Sequence, residues 1–202
     1  MRDVIAGSIA DAARGFYERG WVLGTSGNFS GLVSDDPFRV CITASGREKG
    51  RLKEEDFLVV DENGSAVEGE GQPSAETRIH ISLYRRIPGC GAVFHTHSVW
   101  GTLLADRSLS DGAISIEGYE MLKGLSGVST HEHRESVPVI ENSQDYDLLA
   151  SQIDGIVEGS PGIHGIYLRR HGLYTWGETV ADAKRHIEIF EFLFEAVGRG
   201  IS

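Results

Sequence analysis

The chain has 202 residues, of which 40% are hydrophobic and 24% are charged, and its formal net charge at pH 7 is −11. This composition excludes a wholly disordered chain and a coiled coil, and the negative charge argues against broad binding to nucleic acid or acidic membranes. The length predicts one domain over residues 1–202. No apolar run approaches the ~18 residues that a membrane span needs. No secretory signal is visible, and the two cysteines, Cys41 and Cys90, make no disulfide framework, so we expect a cytoplasmic protein.

The first predicted element is an amphipathic helix, because apolar residues recur at helical spacing from Ile5 to Phe16. Residues 24–31 are predicted to form a loop, since they are dense in glycine and small polar side chains. Strands are predicted at 39–43, 57–60, 91–97, 114–122, 137–140, 165–170 and 173–176, and further helices at 74–86, 98–105, 148–157 and 179–197. This irregular interleaving predicts a three-layer α/β/α fold with a central mixed sheet.

Three local signals mark the ends of predicted elements. Asn63-Gly64 is a hairpin-turn signal after the second strand. Ser74 is predicted to cap the helix that follows it. Thr179, with Asp182 three residues later, is predicted to form a capping box at the start of the last helix.

Two His-x-His pairs among the eight histidines indicate a candidate metal site. His95 and His97 end a strand of small and apolar residues. Residues i and i+2 of a strand face the same side about 6.5–7 Å apart, so both imidazoles can reach one cation. His131 and His133 lie between polar residues, which favours a solvated connection without a role in metal binding.

A third ligand is needed, and His171 is the best candidate. It closes the apolar strand at 165–168 and is followed at once by Gly172. Three neutral imidazoles with coordination positions left open are typical of catalytic zinc, although manganese, iron or cobalt could substitute. The remaining three histidines have contexts that favour surface or core roles: His80, His164 and His186.

Proton chemistry at such a site needs a carboxylate, and the candidates are Glu76, Glu117 and Glu120. Glu120 lies in an otherwise apolar, glycine-bracketed stretch, where it is either paired with Lys123 or used in catalysis. Glu76 lies in the first turn of a predicted helix, where the helix dipole favours a negative charge without any catalytic role.

Small polar residues could bind an anion at three places. These are the loops at 27–30 and 43–46, and Ser74 at a helix start. The chain contains neither a P-loop nor a dinucleotide-binding glycine fingerprint, so nucleotide binding is not predicted.

These motifs, in this order, resemble the class II aldolase/adducin superfamily over nearly the whole chain. The shared motifs are Gly-Thr-Ser-Gly-Asn at 24–28, Ile-Thr-Ala-Ser-Gly at 42–46, Pro-Ser-Ala-Glu at 73–76, His-Thr-His at 95–97 and the late His171. Three further stretches, at 117–124, 131–138 and 169–177, are most similar to the dehydratase branch of the superfamily. That branch removes water from a phosphorylated ketose bearing a methylthio group in methionine salvage.

The resemblance implies a largely antiparallel mixed sheet and a zinc-dependent lyase. It places one Zn²⁺ per subunit on His95, His97 and His171. It makes Glu120 the general acid/base and gives Glu76 a role in substrate contact or resting-state coordination. By the same resemblance, contacts to the substrate phosphate fall to Asn28, Ser45, Gly46 and Ser74. It also implies a homotetramer with active sites near the subunit contacts.

Two other functions fit the same motifs. Aldolases and epimerases that act on fuculose or ribulose phosphates share the fold and the metal. A non-catalytic, adducin-like interaction module would need no metal, and three candidate ligands at strand ends argue against it. A cupin would also use His-x-His, but it needs a glutamate about four residues further on, where this chain has Gly101.

Overall fold

The computed structural model describes residues 1–200, and its nine strands form one mixed sheet. The strands are β1 (Asn28–Asp35), β2 (Phe38–Thr43), β3 (Phe57–Val60), β4 (Ala66–Glu68), β5 (Ala92–Thr96), β6 (Ala113–Glu117), β7 (Arg134–Ile140), β8 (Gly165–Leu168) and β9 (Gly172–Gly177). Their order across the sheet is β4-β3-β2-β1-β5-β9-β8-β7-β6. Neighbouring strands are antiparallel except β7 and β8, which are parallel. The predicted mixed, largely antiparallel sheet is therefore confirmed.

Helices cover both faces of this sheet. They are α1 (Arg2–Glu18), α2 (Thr77–Arg86), α3 (Val99–Ser108), α4 (Tyr146–Gly159) and α5 (Val180–Gly200). One apolar cluster joins the sheet to α1, α3 and α5, and a second joins it to α2 and α4. The three-layer prediction is confirmed, because each face of the sheet buries its apolar side chains under its own helices. Within residues 1–200, every helix is too short or too polar to cross a membrane.

The direction of each strand decides which residues can share a site. β9 is antiparallel to β5, with Thr96 opposite Leu173, so the C-terminal end of β5 lies beside the N-terminal end of β9. The C-terminal ends of β8 and β7 lie at this same side, since Leu168 pairs with both Gly172 and Ile140. We call this side the histidine end of the sheet. β6 runs the other way, so its last residue, Glu117, lies at the opposite end.

The prediction of a loop over 24–31 was wrong in its second half. β1 begins at Asn28 and is a central strand between β2 and β5. Its side chains at Asn28 and Ser30 are buried but hydrogen-bonded to α2, and these hydrogen bonds compensate for the loss of water around the two polar groups. An alternation of polar and apolar residues could not reveal such a strand, because the polar face is buried too.

Two predicted boundaries were also wrong. The strand predicted over 114–122 ends at Glu117, because Gly118 adopts a positive φ of 81° and the chain enters a 3₁₀ helix over Glu120–Gly124. Ser74 does not cap α2: the cap position is Glu76, whose backbone N–H donates to the Ser74 hydroxyl at 3.3 Å. The other predicted helices and the hairpin after the second predicted strand are confirmed, with boundaries shifted by a few residues.

Candidate metal centre and substrate pocket

Three imidazole rings converge at the histidine end of the sheet. His95 Nε2 lies 2.8 Å from His97 Nε2 and 3.4 Å from His171 Nε2. One ring nitrogen from each of the three lies within 4.8 Å of the others. Two nitrogens bound to a tetrahedral zinc at about 2.0–2.1 Å are roughly 3.3 Å apart, so the spacing fits a shared cation.

Hydrogen bonds on the far side of two rings fix which nitrogen faces this centre. His95 Nδ1 donates to the carbonyl oxygen of Leu173 at 2.9 Å, and His171 Nδ1 donates to Asn142 Oδ1 at 3.0 Å. A neutral ring that carries its proton on Nδ1 presents the lone pair of Nε2. The His95 ring is also stacked on Tyr174, with 4.0 Å between ring centroids. The rings are therefore held in the orientation that a metal ligand needs.

A carboxylate completes the group. Glu76 Oε1 lies 2.9 Å from His171 Nε2 and 3.7 Å from His95 Nε2. Burial raises the pKa of the Glu76 carboxyl, but the facing imidazoles of His95 and His171 and the Asn28 amide outweigh burial and hold the pKa below its ordinary value. Burial lowers the pKa of His97 to about 4 and that of His95 well below its usual range. An ionised carboxylate and neutral imidazoles are the states that bind a divalent cation, so the donor set fits one.

A pocket of about 140 Å³ lies beside these histidines. All five residues that the sequence assigned to substrate or phosphate contact line it, together with His97: Asn28, Ser45, Gly46, Ser74 and Glu76. They come from three separate stretches of chain, which the strands β1 and β2 and the start of α2 bring together. The pocket therefore joins the small-residue loops to the histidines as one continuous site.

Lys49 also lines this pocket, and sequence analysis did not single it out. The side chain is only 1% exposed, and its ammonium group donates to the carbonyl oxygens of Thr25 at 2.9 Å and Arg47 at 2.8 Å. Burial lowers the pKa of Lys49 to about 8. The lysine supplies a positive charge beside the small-residue loops of an acidic chain. A single lysine that follows Glu48 and precedes Gly50 gives no sequence signal that separates this role from solvent exposure.

Comparison with known proteins identifies the family. The sequence profile of the Class II Aldolase and Adducin N-terminal domain matches residues 7–197. The chain belongs to the class II aldolase and adducin family. The resemblance stated from the motifs alone is thus confirmed.

Two curated relatives and one solved structure illustrate the position of the chain in the class II aldolase and adducin family. The methylthioribulose-1-phosphate dehydratase of Marinobacter nauticus is 47% identical over 94% of this chain and 90% of its own length. The protein of the same name from Methylococcus capsulatus is 46% identical over 94% of this chain and 91% of its own. The L-fuculose-1-phosphate aldolase of Thermus thermophilus has a TM-score of 0.77 at 22% identity, covering 98% of this chain and 95% of that one. At that identity the aldolase shows a shared fold alone.

Glu120, the predicted acid/base of this class II aldolase family member, does not lie with the histidines. Its side chain is 69% exposed and pairs with Lys123 and His131. Glu120 opens the 3₁₀ helix after β6, beyond the end of β6 that faces away from the histidine end. β6 and β5 are four strand positions apart, which is about 19 Å at the usual strand spacing. Within residues 1–200 of a single chain, Glu120 and the three histidines therefore form no common site.

A second group of histidines lies at the opposite end of the sheet. Glu135 on β7 accepts hydrogen bonds from His133 Nε2 at 2.8 Å, from His164 Nδ1 at 3.0 Å and from the His164 backbone amide at 3.1 Å. His164 Nε2 faces the carbonyl oxygen of Ser126 at 2.8 Å. Both ring nitrogens of His164 therefore donate, which makes the ring an imidazolium. Burial lowers the pKa of His164, but Glu135 and the Ser126 carbonyl outweigh it and raise that pKa above its usual value.

Proposed function

We propose that the chain is a metal-dependent lyase that dehydrates 5-methylthioribulose 1-phosphate to 2,3-diketo-5-methylthiopentyl 1-phosphate, a step in methionine salvage. The observation that carries the proposal is the convergence of three imidazole Nε2 atoms and the Glu76 carboxylate beside a donor-lined pocket. The choice of reaction is supported by the dehydratases that are 46–47% identical to the chain. Two buried free cysteines accord with the cytoplasmic location that we propose.

The cation that we propose is Zn²⁺, one per chain, held by His95, His97 and His171 with Glu76 beside them. A divalent cation bound here would polarise the carbonyl and hydroxyl oxygens of a ketose and acidify the adjacent C–H bond. The neutral imidazoles of His95 and His97 leave the charge of the cation undiminished, and the Glu76 carboxylate offsets one unit of it. The carbonyl of Leu173 and the amide of Asn142 hold two of the rings in place.

The phosphate of the substrate is proposed to occupy the small-residue part of the pocket. Its contacts would come from Asn28, Ser45, Gly46 and Ser74. Gly46 has a φ of 74°, a turn conformation that leaves its backbone open to a close approach. The buried ammonium group of Lys49 would attract the dianion from behind the loops. A fixed positive charge here offsets the repulsion expected from a chain with a net charge of −11.

We assign the acid/base role to Glu120 of the partner subunit. In this role Glu120 takes the proton from C3 of the ketose or returns one to the leaving C4 hydroxyl, so that water departs. Within one chain, Glu120 lies beyond the end of the sheet that is opposite the histidines. Its side chain is 69% exposed, so it is accessible to a neighbouring copy of the chain. A homo-oligomer, which we expect to be a tetramer, would bring the carboxylate of one chain to the histidines of another.

The decisive experiment supplies purified, zinc-loaded protein with 5-methylthioribulose 1-phosphate and, in parallel, with fuculose 1-phosphate and ribulose 5-phosphate. We expect loss of water from the methylthio-sugar, detected as the dicarbonyl product, and no turnover of the other two. Cleavage of fuculose 1-phosphate would show an aldolase, and epimerisation of ribulose 5-phosphate would show an epimerase. A protein that binds no zinc when it is added and turns over none of the three sugars would show an interaction module.

A further inference from the structure

An unbroken row of buried hydrogen bonds leads from the metal centre into the core. Asn28 Nδ2 donates to Glu76 Oε2, and Asn28 Oδ1 accepts from His80 Nε2. On the other side of the ring, His80 Nδ1 bonds the hydroxyl of Ser30 at 2.7 Å, and Ser30 Oγ bonds the hydroxyl of Tyr84 at 2.9 Å. The four side chains that connect Glu76 to the core in this way are at most 9% exposed. We call Asn28, His80, Ser30 and Tyr84 the Glu76 relay.

The ionised carboxylate sets the direction of every bond in this row. A carboxylate can only accept, so the Asn28 amide must turn its NH₂ group towards Glu76 and its oxygen towards His80. His80 Nε2 therefore carries the ring proton, and Nδ1 keeps a lone pair that accepts from the Ser30 hydroxyl at 2.7 Å, closer than the Val93 carbonyl oxygen, which lies 3.4 Å from the same hydroxyl. The Ser30 oxygen then accepts from Tyr84. All four donors point towards Glu76, and aligned donors of this kind strengthen one another.

The relay is built on two rigid elements. Asn28 and Ser30 are alternate residues of β1, so both face α2. Glu76, His80 and Tyr84 are spaced four residues apart on one face of α2, from its N-cap to its last turn. Burial lowers the pKa of His80 to about 4, so the ring is neutral and can accept at one nitrogen while it donates at the other.

We propose that His80 is a positioning residue of the metal centre, which holds the Asn28 amide in the orientation that fixes the Glu76 carboxylate. One carboxylate oxygen is tied to Asn28, so the other oxygen is directed at His171 and His95. Without the ring, the Asn28 amide loses the donor that fixes its orientation, and with it the Glu76 oxygen loses the fixed hydrogen bond from Asn28 Nδ2. The proposal rests on the proposed function only in taking Glu76 as part of the metal centre.

The first test replaces His80 by leucine, with His186→Leu as the matched control. His186 is equally buried, 2% exposed, and bonds Trp176 and Ser126 at the other end of the sheet. Both variants lose a satisfied buried imidazole, so both should lower the unfolding temperature. Zinc affinity, measured by competition with a chelator, should fall about 10-fold or more in His80→Leu and stay unchanged in His186→Leu, since outer hydrogen-bond partners tune metal ligands by about 10–100-fold.

Two further variants keep the test decisive. His80→Gln retains an amide donor near the position of Nε2 and should restore most of the zinc affinity that His80→Leu loses. Ser30→Ala removes the donor to His80 Nδ1 without opening a large cavity. It therefore tests the relay even if His80→Leu does not fold. We expect Ser30→Ala to weaken zinc binding, and to abolish the fixed Nε2–H tautomer that ¹⁵N spectroscopy should find for His80 in the wild-type chain.

Kinetics separate this role from simple packing. With substrate, His80→Leu should lower kcat by a larger factor than it raises KM, because Ser45, Gly46 and Ser74 still line the phosphate part of the pocket. Unchanged zinc affinity and kcat in folded His80→Leu, or in Ser30→Ala, would overturn the relay and leave the proposed reaction standing. Zinc binding without turnover in the wild-type chain would overturn the proposed reaction, and the zinc affinities of the variants would still decide the relay.

Discussion

Two groups of histidine and glutamate lie at opposite ends of one sheet, and they differ in what the second nitrogen of each ring faces. At the histidine end, His95 donates one proton from Nδ1 to the carbonyl oxygen of Leu173, and its Nε2 faces the Nε2 atoms of His97 and His171. At the opposite end, His164 faces an oxygen with both nitrogens and so carries two protons. The same residue types therefore make a ligand set in one place and an ion pair in the other.

The two carboxylates differ in the same way. Glu135 accepts three hydrogen bonds from His133 and His164, so both of its oxygens are held by these two residues. Glu76 accepts one from Asn28 and turns its other oxygen to the histidines. The spacing of ligand residue types is therefore insufficient to define a metal site, because the hydrogen bonds around each ligand decide whether a lone pair is free.

Loss of metal should distinguish the two histidine groups most clearly. His97→Ala removes one of the three converging nitrogens, so we expect zinc content and dehydratase activity both to fall to background. His133→Ala, at the other end of the sheet, should keep about one zinc per chain and near wild-type turnover. Metal analysis and an activity assay on the two purified variants check this, and full activity in zinc-free His97→Ala would refute the site.

Glu120→Gln should keep its zinc and lose about 10²–10⁴ in kcat, which is the usual contribution of a general acid or base. Mixing Glu120→Gln subunits with His97→Ala subunits should restore part of the activity, because some sites would then combine an intact metal centre with an intact Glu120. Absence of any recovery in proven mixed oligomers would place the acid/base on the same chain as the metal. Each variant alone is the control.

Glu135→Gln should destabilise the fold by about 3–5 kcal/mol, because it leaves the buried imidazolium of His164 without its counter-charge. The folded pKa of His164 is raised, so its contribution is full below the unfolded value and is lost as pH rises through the folded pKa. The folded pKa of Glu135 is lowered, so its contribution is lost only as pH falls through that pKa.

The gap in unfolding temperature between wild type and Glu135→Gln should therefore be widest near pH 5–6, between the ordinary pKa values of glutamate and histidine, and should narrow towards pH 9. Measuring both proteins with chelator present removes any contribution of bound metal. A gap that widens with increasing pH would contradict the imidazolium assignment.

The smallest expected effect concerns Glu76. Glu76→Gln keeps the shape of the side chain but removes its charge, so zinc affinity should fall by about 10–100-fold while the three imidazoles still hold the ion. Chelator competition measures this directly. If Glu76→Gln is inactive with zinc bound and Glu120→Gln is near wild type, the catalytic roles of the two carboxylates are reversed.

Sequence reasoning identified the fold class and the converging histidines because both follow from local patterns. His95 and His97 end an apolar strand, and His171 follows another, so the local pattern places each of them at the end of a strand. The pairing of β9 with β5 and β8 then brings these strand ends together. The placement of Glu120 depends instead on the order and direction of nine strands. No local pattern contains that order, so the separation of Glu120 from the histidines could not be predicted.

The residues that sequence analysis missed are those whose partners are remote in the chain. His80 bonds Ser30 and Asn28, which are 50 and 52 residues away, and its spacing on α2 is equally typical of a core position. Asn142 meets His171 only because the parallel strands β7 and β8 end side by side. Lys49 could not be recognised from the sequence, because its role depends on its burial in the folded chain and its sequence neighbours do not indicate that burial.

The distance between the 3₁₀ segment that begins at Glu120 and the three imidazoles has a further consequence under the proposed roles. A newly folded, solitary chain would load its ion and still be inert, since it cannot supply its own proton carrier. Specific activity would then decline on dilution past the point where the assembly separates, and would return on concentration. Activity would therefore depend on assembly, and a single chain that had bound its metal ion would not react with sugar phosphates.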